Sequence, residues 1–117
     1  MSFDDVIASL LERCPGARGA AVVDADGIPV VSSPHDPTIE ALVAEYAAVL
    51  REIDHAGREF QHGGLRQLHV VAEHAAVVLT VIAAGYFLVL VLDPEGSSGR
   101  ARFLSRLAGE RLYPEFL

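Results

Sequence analysis

The side chains that could do chemistry are few and poorly arranged for it. His69 and His74 flank a predicted β-turn, so they could meet across a hairpin. Two imidazoles without a carboxylate or thiol set beside them make a poor metal site, and both read as surface residues. Ser97-Ser98-Gly99 precede a predicted helix, whose first N–H groups could cradle an anion; ordinary capping explains the same residues. No serine lies in a nucleophile elbow. All nine basic residues are arginine, which removes the phosphate-loop lysine, the Schiff-base lysine and the lysine general base. Cys14 is the single cysteine, so there is no internal disulfide and no multi-cysteine metal cluster; it reads as a small buried hydrophobe. The sequence predicts no enzyme, no cofactor and no metal.

A chain of 117 residues fits one domain with one core. Apolar residues make up 51% and the mean hydropathy is +0.34. That is greasy for a small domain, and it suggests that a second chain covers some of the surface. The net charge of −7 argues against a nucleic-acid partner. The charge is uneven: residues 1–62 carry four Arg against eleven Asp/Glu, while residues 63–117 carry five of each. Arg100, Arg102, Arg106 and Arg111 make the last segment basic, and they read as a solvated helix face. Asp4 and Asp5 interrupt the early apolar stretch, so no signal peptide is visible and a cytoplasmic location is expected.

The positioning elements follow from periodicity. Ser2, with Asp5 three residues on, opens a helix whose apolar face is Phe3, Val6, Ile7, Leu10, Leu11 and Cys14; Pro15-Gly16 stop it. Ala20–Val23 and Ile28–Ser32 flank Asp24-Ala25-Asp26-Gly27, a hairpin signal. Pro29 cannot donate to a ladder, so its strand is expected at a sheet edge. Asp36 before Pro37 starts a long helix over about 37–56. Its apolar stripe is Ile39, Leu42, Val43, Tyr46, Val49, Leu50 and Ile53. Strands are predicted over 65–72, 75–82 and 86–92, then a helix from Ser97 or Ser98 to about Leu112 with Phe103, Leu104, Leu107 and Ala108 apolar.

Residues 75–92 hold no charge over eighteen positions, long enough to invite a membrane reading. The run is rich in Val and Ile, with Ala83-Ala84-Gly85 at a natural turn, and no arginine flanks it closely. Two strands buried on both faces explain it better, so no membrane span is expected. The order αββαβββα predicts an α+β fold: a five-stranded antiparallel sheet, with the middle helix on one face and the terminal helices on the other.

Two surfaces stand out. The third strand (Leu65, Gln67, Leu68, His69, Val70, Val71) has no proline. The sequence does not fix strand order, but at the far edge this strand would be an open template, and two-fold self-pairing the commonest cover. The middle helix turns Glu40, Ala44, Ala48, Arg51, Glu52 and His55 away from its apolar stripe. Its alanines either admit a close partner or are simply good helix formers. Partner binding is the main functional expectation, with a small-ligand sensor of PAS/GAF-like type as the alternative. The sensor would need a roomy pocket, and a ligand would raise its melting temperature by mass action.

The order and four segments resemble the Roadblock/dynein-light-chain family over almost the whole chain. They are Gly19-Ala20-Ala21-Val22-Val23-Asp24 with Asp26-Gly27-Ile28-Pro29-Val30; Glu45-Tyr46-Ala47-Ala48-Val49-Leu50; Tyr86-Phe87-Leu88-Val89-Leu90-Val91-Leu92; and Gly99-Arg100-Ala101-Arg102-Phe103-Leu104. The compact length looks like the bacterial MglB-like and MglC-like members, which work with a Ras-like small GTPase in cell polarity. The resemblance implies a Roadblock/profilin-like fold and a non-enzymatic homodimer joined through its third strands. It also implies a platform of paired middle helices. MglB-like platforms bind the GTPase and speed its hydrolysis without inserting a catalytic residue; MglC-like members bind an MglB-like Roadblock protein. The helix segment and C-terminus look closer to the MglC kind.

Overall fold

The computed structural model describes residues 2–117. Its elements are α1 (Phe3–Arg13), β1 (Ala17–Asp24), β2 (Pro29–Ser33), α2 (Pro37–Glu59), β3 (Gln67–Val71), β4 (Ala76–Ala83), β5 (Tyr86–Leu92), α3 (Ser98–Leu112) and a short 3₁₀ turn at Tyr113–Phe116. Helix starts follow their caps. Ser2 Oγ accepts from Asp5 N, the Asp36 carboxylate from Thr38 N, and Ser97 Oγ from Arg100 N, each satisfying a donor that the first turn leaves free.

The strands form one antiparallel sheet in the order β2-β1-β5-β4-β3. Pro29 is therefore on an edge strand, as its missing N–H requires, and β3 lies at the opposite edge. The charge-free run becomes β4 and β5, buried almost throughout on both faces. No described helix is long and apolar enough to cross a membrane.

Side-chain alternation splits the core in two. On one face Val22, Val78, Leu88, Leu90 and Leu92 meet α1 and α3 through Val6, Ile7, Leu10, Cys14, Ala101, Leu104, Ala108 and Leu112. Phe116 then stacks on Phe3 and leans on Tyr86, tying the C-terminal turn to both. On the other face Ala21, Val23, Val77, Leu79, Phe87, Val89 and Val91 meet only α2, through Val43, Ala47 and Leu50.

The structure corrects several sequence expectations. α2 runs one turn further, to Glu59. Leu65 lies before β3 rather than in it, half-buried against the α2-side core. Phe103, read as apolar-face, is 51% exposed. His69 pairs across the hairpin with Val78, not with His74, which sits in the turn beside Glu73.

Two local contacts fix α2 to the sheet. Gly27, at φ +80° in the β1–β2 turn, leaves so little room that a Cβ there would stand 2.9 Å from Ala44 Cα. At the other end, Asp54 accepts from Leu65 N at 2.7 Å and from Arg58 Nε at 3.0 Å, pinning the loop that leads into β3. These hydrogen bonds, the Leu65 N–H foremost, hold its carboxyl below the usual carboxylate range.

Gly27→Ala should cost about 2–4 kcal/mol in urea unfolding, from the left-handed conformation and the overlap with α2 together. Asp54→Asn should lower the melting temperature by about 4 °C at pH 7. A carboxylate with a depressed folded-state pKa stabilises above its unfolded pKa and loses that effect as pH falls through the folded value. The gap between wild type and variant should therefore close as melting is measured down to about pH 3.

Candidate functional site

The β3 edge is unpaired. Val81 N donates to Arg66 O, and Ala72 N donates to Ala75 O. Bonding direction alternates along an antiparallel strand, so Leu68 and Val70 turn their main chain to β4. The N–H and C=O groups of Gln67, His69 and Val71 point outward, with no partner strand beyond among the described residues. Leu68 and Val70 lie half-buried on the α2 side. Gln67 is on the α3 side, where its amide nitrogen donates to Thr80 Oγ1 and to Arg102 O, both at 3.0 Å. His69 Nε2 is buried with no hydrogen-bond partner among the described residues, an uncompensated cost in a closed structure.

The middle-helix residues do not form one free face. Glu40 is half-buried and accepts from Ser32 Oγ at 3.2 Å. Ala44 lies over Gly27. Arg51 donates to Ala25 O and stands 3.8 Å from Asp26. These three serve the β1–β2 hairpin. Ala48 is half-buried, while Glu52 and His55 are open to solvent.

Sequence reading missed the other flank of α2. Val49 and Ile53 were expected in the buried stripe, yet they are 44% and 38% exposed, and Phe60 at the helix end is 73% exposed. Spacings of four and seven set these three on one line along the helix. Ile53 shares a surface groove with Leu65 and Arg66, so this line runs on the β3 side. The signal was present: seven apolar positions plus Ala47 make a stripe wider than one contact with a flat sheet can bury.

No described cluster of His, Cys, Asp and Glu could hold a metal. Cys14 is buried, and burial pushes its thiol pKa up despite the nearby Arg100 charge, which opposes thiolate chemistry. What the surface offers is main-chain hydrogen bonding along β3 and apolar area along α2.

Comparison with known proteins agrees with this fold. No curated protein matches the chain by sequence. Among solved structures, a Roadblock/LC7 domain from Streptomyces avermitilis superposes with a TM-score of 0.89 at 18% identity, covering 99% of this chain and 98% of that one. Myxococcus xanthus MglB gives 0.83 at 16% identity, over 99% and 98%. MglC from the same organism gives 0.69 at a higher identity of 28%, over 98% and 99%. Backbone likeness thus leans toward MglB and sequence likeness toward MglC. The family model of the Roadblock/LC7 domain matches residues 3–92, and that span holds both sheet edges and α2. The chain belongs to the Roadblock/LC7 family, whose members are generally regulatory rather than catalytic.

Proposed function

We propose that this chain is a non-enzymatic regulatory module. It homodimerises through β3 and the β3-side flank of α2, and it presents the paired α2 helices to a Ras-like small GTPase or to a second Roadblock protein. One observation carries the reading: an unpaired edge strand without proline borders an exposed apolar line, Val49, Ile53 and Phe60, on the neighbouring helix. Either alone is common; together they form one unfinished border of the core.

A two-fold axis completes both parts at once. Self-pairing through the outward groups of Gln67, His69 and Val71 sets His69 beside its own copy and Gln67 beside the partner's Val71. The sheet then continues across the axis, and the partner's α2 covers Leu68 and Val70. His69 is half-buried in the single chain, and its Nε2 is buried and unpartnered among the described residues, which fits a strand whose neighbours are incomplete. Glu52 and His55, exposed and clear of the hairpin, are the best-placed charged groups of the platform, and they steer a partner's approach more than they add affinity. The likeness to MglC, at 28% identity, favours the class of partner that the sequence resemblance implies.

Light scattering on the purified chain should return twice the chain mass. Val71→Pro removes an outward N–H and leaves the β3–β4 bonds intact, so it should yield a folded monomer, whereas Val70→Pro would break the bonds to β4 as well. A wild-type monomer, or a Val71→Pro dimer, rejects edge pairing. Glu52→Arg with His55→Glu should weaken binding of a Ras-like GTPase or a second Roadblock protein from the same organism about tenfold, roughly 1.4 kcal/mol, by calorimetry, without changing the dimer. Unchanged affinity for both partners would reject the platform.

A further inference from the structure

His69 is the only titratable residue of β3, the strand whose outer side is open. It pairs across the hairpin with Val78, and Val78 belongs to the core shared with α1 and α3. Cross-strand partners project to the same face, so the imidazole lies on the α3 side of the sheet. The residue is half-buried, and its Nε2 is covered with no hydrogen-bond partner among the described residues. A covered polar atom left unpaired costs more than an ordinary hydrogen bond gains, and imidazole is the side chain that changes charge near neutral pH.

The elements packed about that ring bring it no counter-charge. β4, the inner neighbour, has no titratable residue over Ala76–Ala83. On β3 itself the flanking residues of the same face are Gln67 and Val71, and Gln67 spends its amide nitrogen on Thr80 Oγ1 and Arg102 O. α3 contributes Arg102 there. A groove between α3 and the β3–β4 edge is lined by Arg66, Gln67, Arg106 and Glu110. Glu110 follows Gly109, which stands over Thr80, further along β4 than Val78. Three arginines and one glutamate are thus the charged groups of this neighbourhood, and His69 makes no ion pair with any described carboxylate.

We infer that His69 makes the β3 edge a pH-sensitive joint between two copies, closed while the imidazoles are neutral and loosened when both are charged. The inference rests on the edge-paired dimer proposed above. In that pairing His69 falls on the two-fold axis opposite its own copy, both rings on the α3 side and the Cα atoms about 5.5 Å apart. Two neutral rings complement each other: the Nε2–H of one donates to the bare Nε2 of the other, giving each covered atom the partner that the single chain lacks. Two protonated rings present only donors, with like charges directly opposite, an arrangement that destabilises a strand pair. On the paired strand Arg66 and Glu73 fall three and four places from the axis, roughly 10 and 13 Å along an extended chain, too far to compensate. Separated chains take up both protons and the joined pair resists the second, so acid favours separation and the dimer is lost as pH falls through the imidazole range. Overall charge acts in the opposite sense. The net charge of −7 shrinks as pH falls toward the isoelectric point near 5.0, which lessens repulsion between copies. A dimer that loosens in acid therefore carries the sign of the local pair.

The test is sedimentation of the full chain over a dilution series at pH 8 and pH 5.5, with circular dichroism confirming the fold at both. The wild-type dissociation constant should rise about fivefold or more on acidification, the factor for excluding one of two imidazole protons. Where the dimer is too tight for dilution, exchange between unlabelled and isotope-labelled chains, followed by native mass spectrometry, should be faster at pH 5.5. His69→Gln should stay dimeric and lose the rise, its constant flat or falling; His69→Thr, a good strand former, gives a second reading should the first fold poorly. His55→Gln removes the exposed histidine of α2 and should keep the wild-type rise. A wild-type constant unchanged or lower at pH 5.5, or a rise that persists in full in His69→Gln, overturns the inference and leaves the dimer standing. Loss of the dimer at pH 8 by both His69 variants would make the ring a packing element and overturn it too. A wild-type chain that is monomeric at pH 8 overturns the dimer and this inference together.

Discussion

The sheet must be covered on both faces, and the chain supplies unequal cover. β1, β5 and β4 are apolar on both sides along nearly their full length, so water must be kept from each face. Strands stand about 4.8 Å apart, which makes five strands roughly 20 Å wide, while a helix with its side chains is about 10–12 Å across. Two helices, α1 and α3, can close one face. One helix cannot close the other, and α2 is held toward β1 by the Gly27–Ala44 approach. The deficit therefore falls on the far side, over β3 and β4. The half-buried Leu68 and Val70 and the exposed Val49 and Ile53 all follow from that imbalance.

The same constraint explains what could be read in advance. Element order, the Pro29 edge, the Asp36 cap, a serine cap at 97 or 98 and the strand identity of residues 75–92 were legible because each is a local rule acting on a few neighbouring residues. Which flank of α2 remains open was not legible, because it depends on where a helix axis lies over a sheet. Ala44 looked like a docking residue by its size and position. It is small because Gly27 of the hairpin already docks on it. Val49 and Ile53 looked like core because they share the stripe of Leu42 and Leu50, but the stripe's centre sits nearer Ala47. A small residue at 47 marks the line of closest approach to the sheet, and this is the clue a width count alone overlooks.

Placement of the ionic groups completes the contrast between the two sides. Arg51, Arg58 and Asp54 on α2 act within the chain, fastening a hairpin and a loop. The arginines of α3 fasten little beyond a few main-chain oxygens. Exposed ion pairs contribute little to stability, so leaving the α3 arginines unpaired costs the fold almost nothing.

These features together suit a part that works by being bound. Its cysteine is buried with a raised thiol pKa, and its grooves open at the surface. α3 packs on β4 through Gly109 and Thr80, one strand from β3, so a chain joined to its copy through β3 would bring its two α3 grooves to flank the axis.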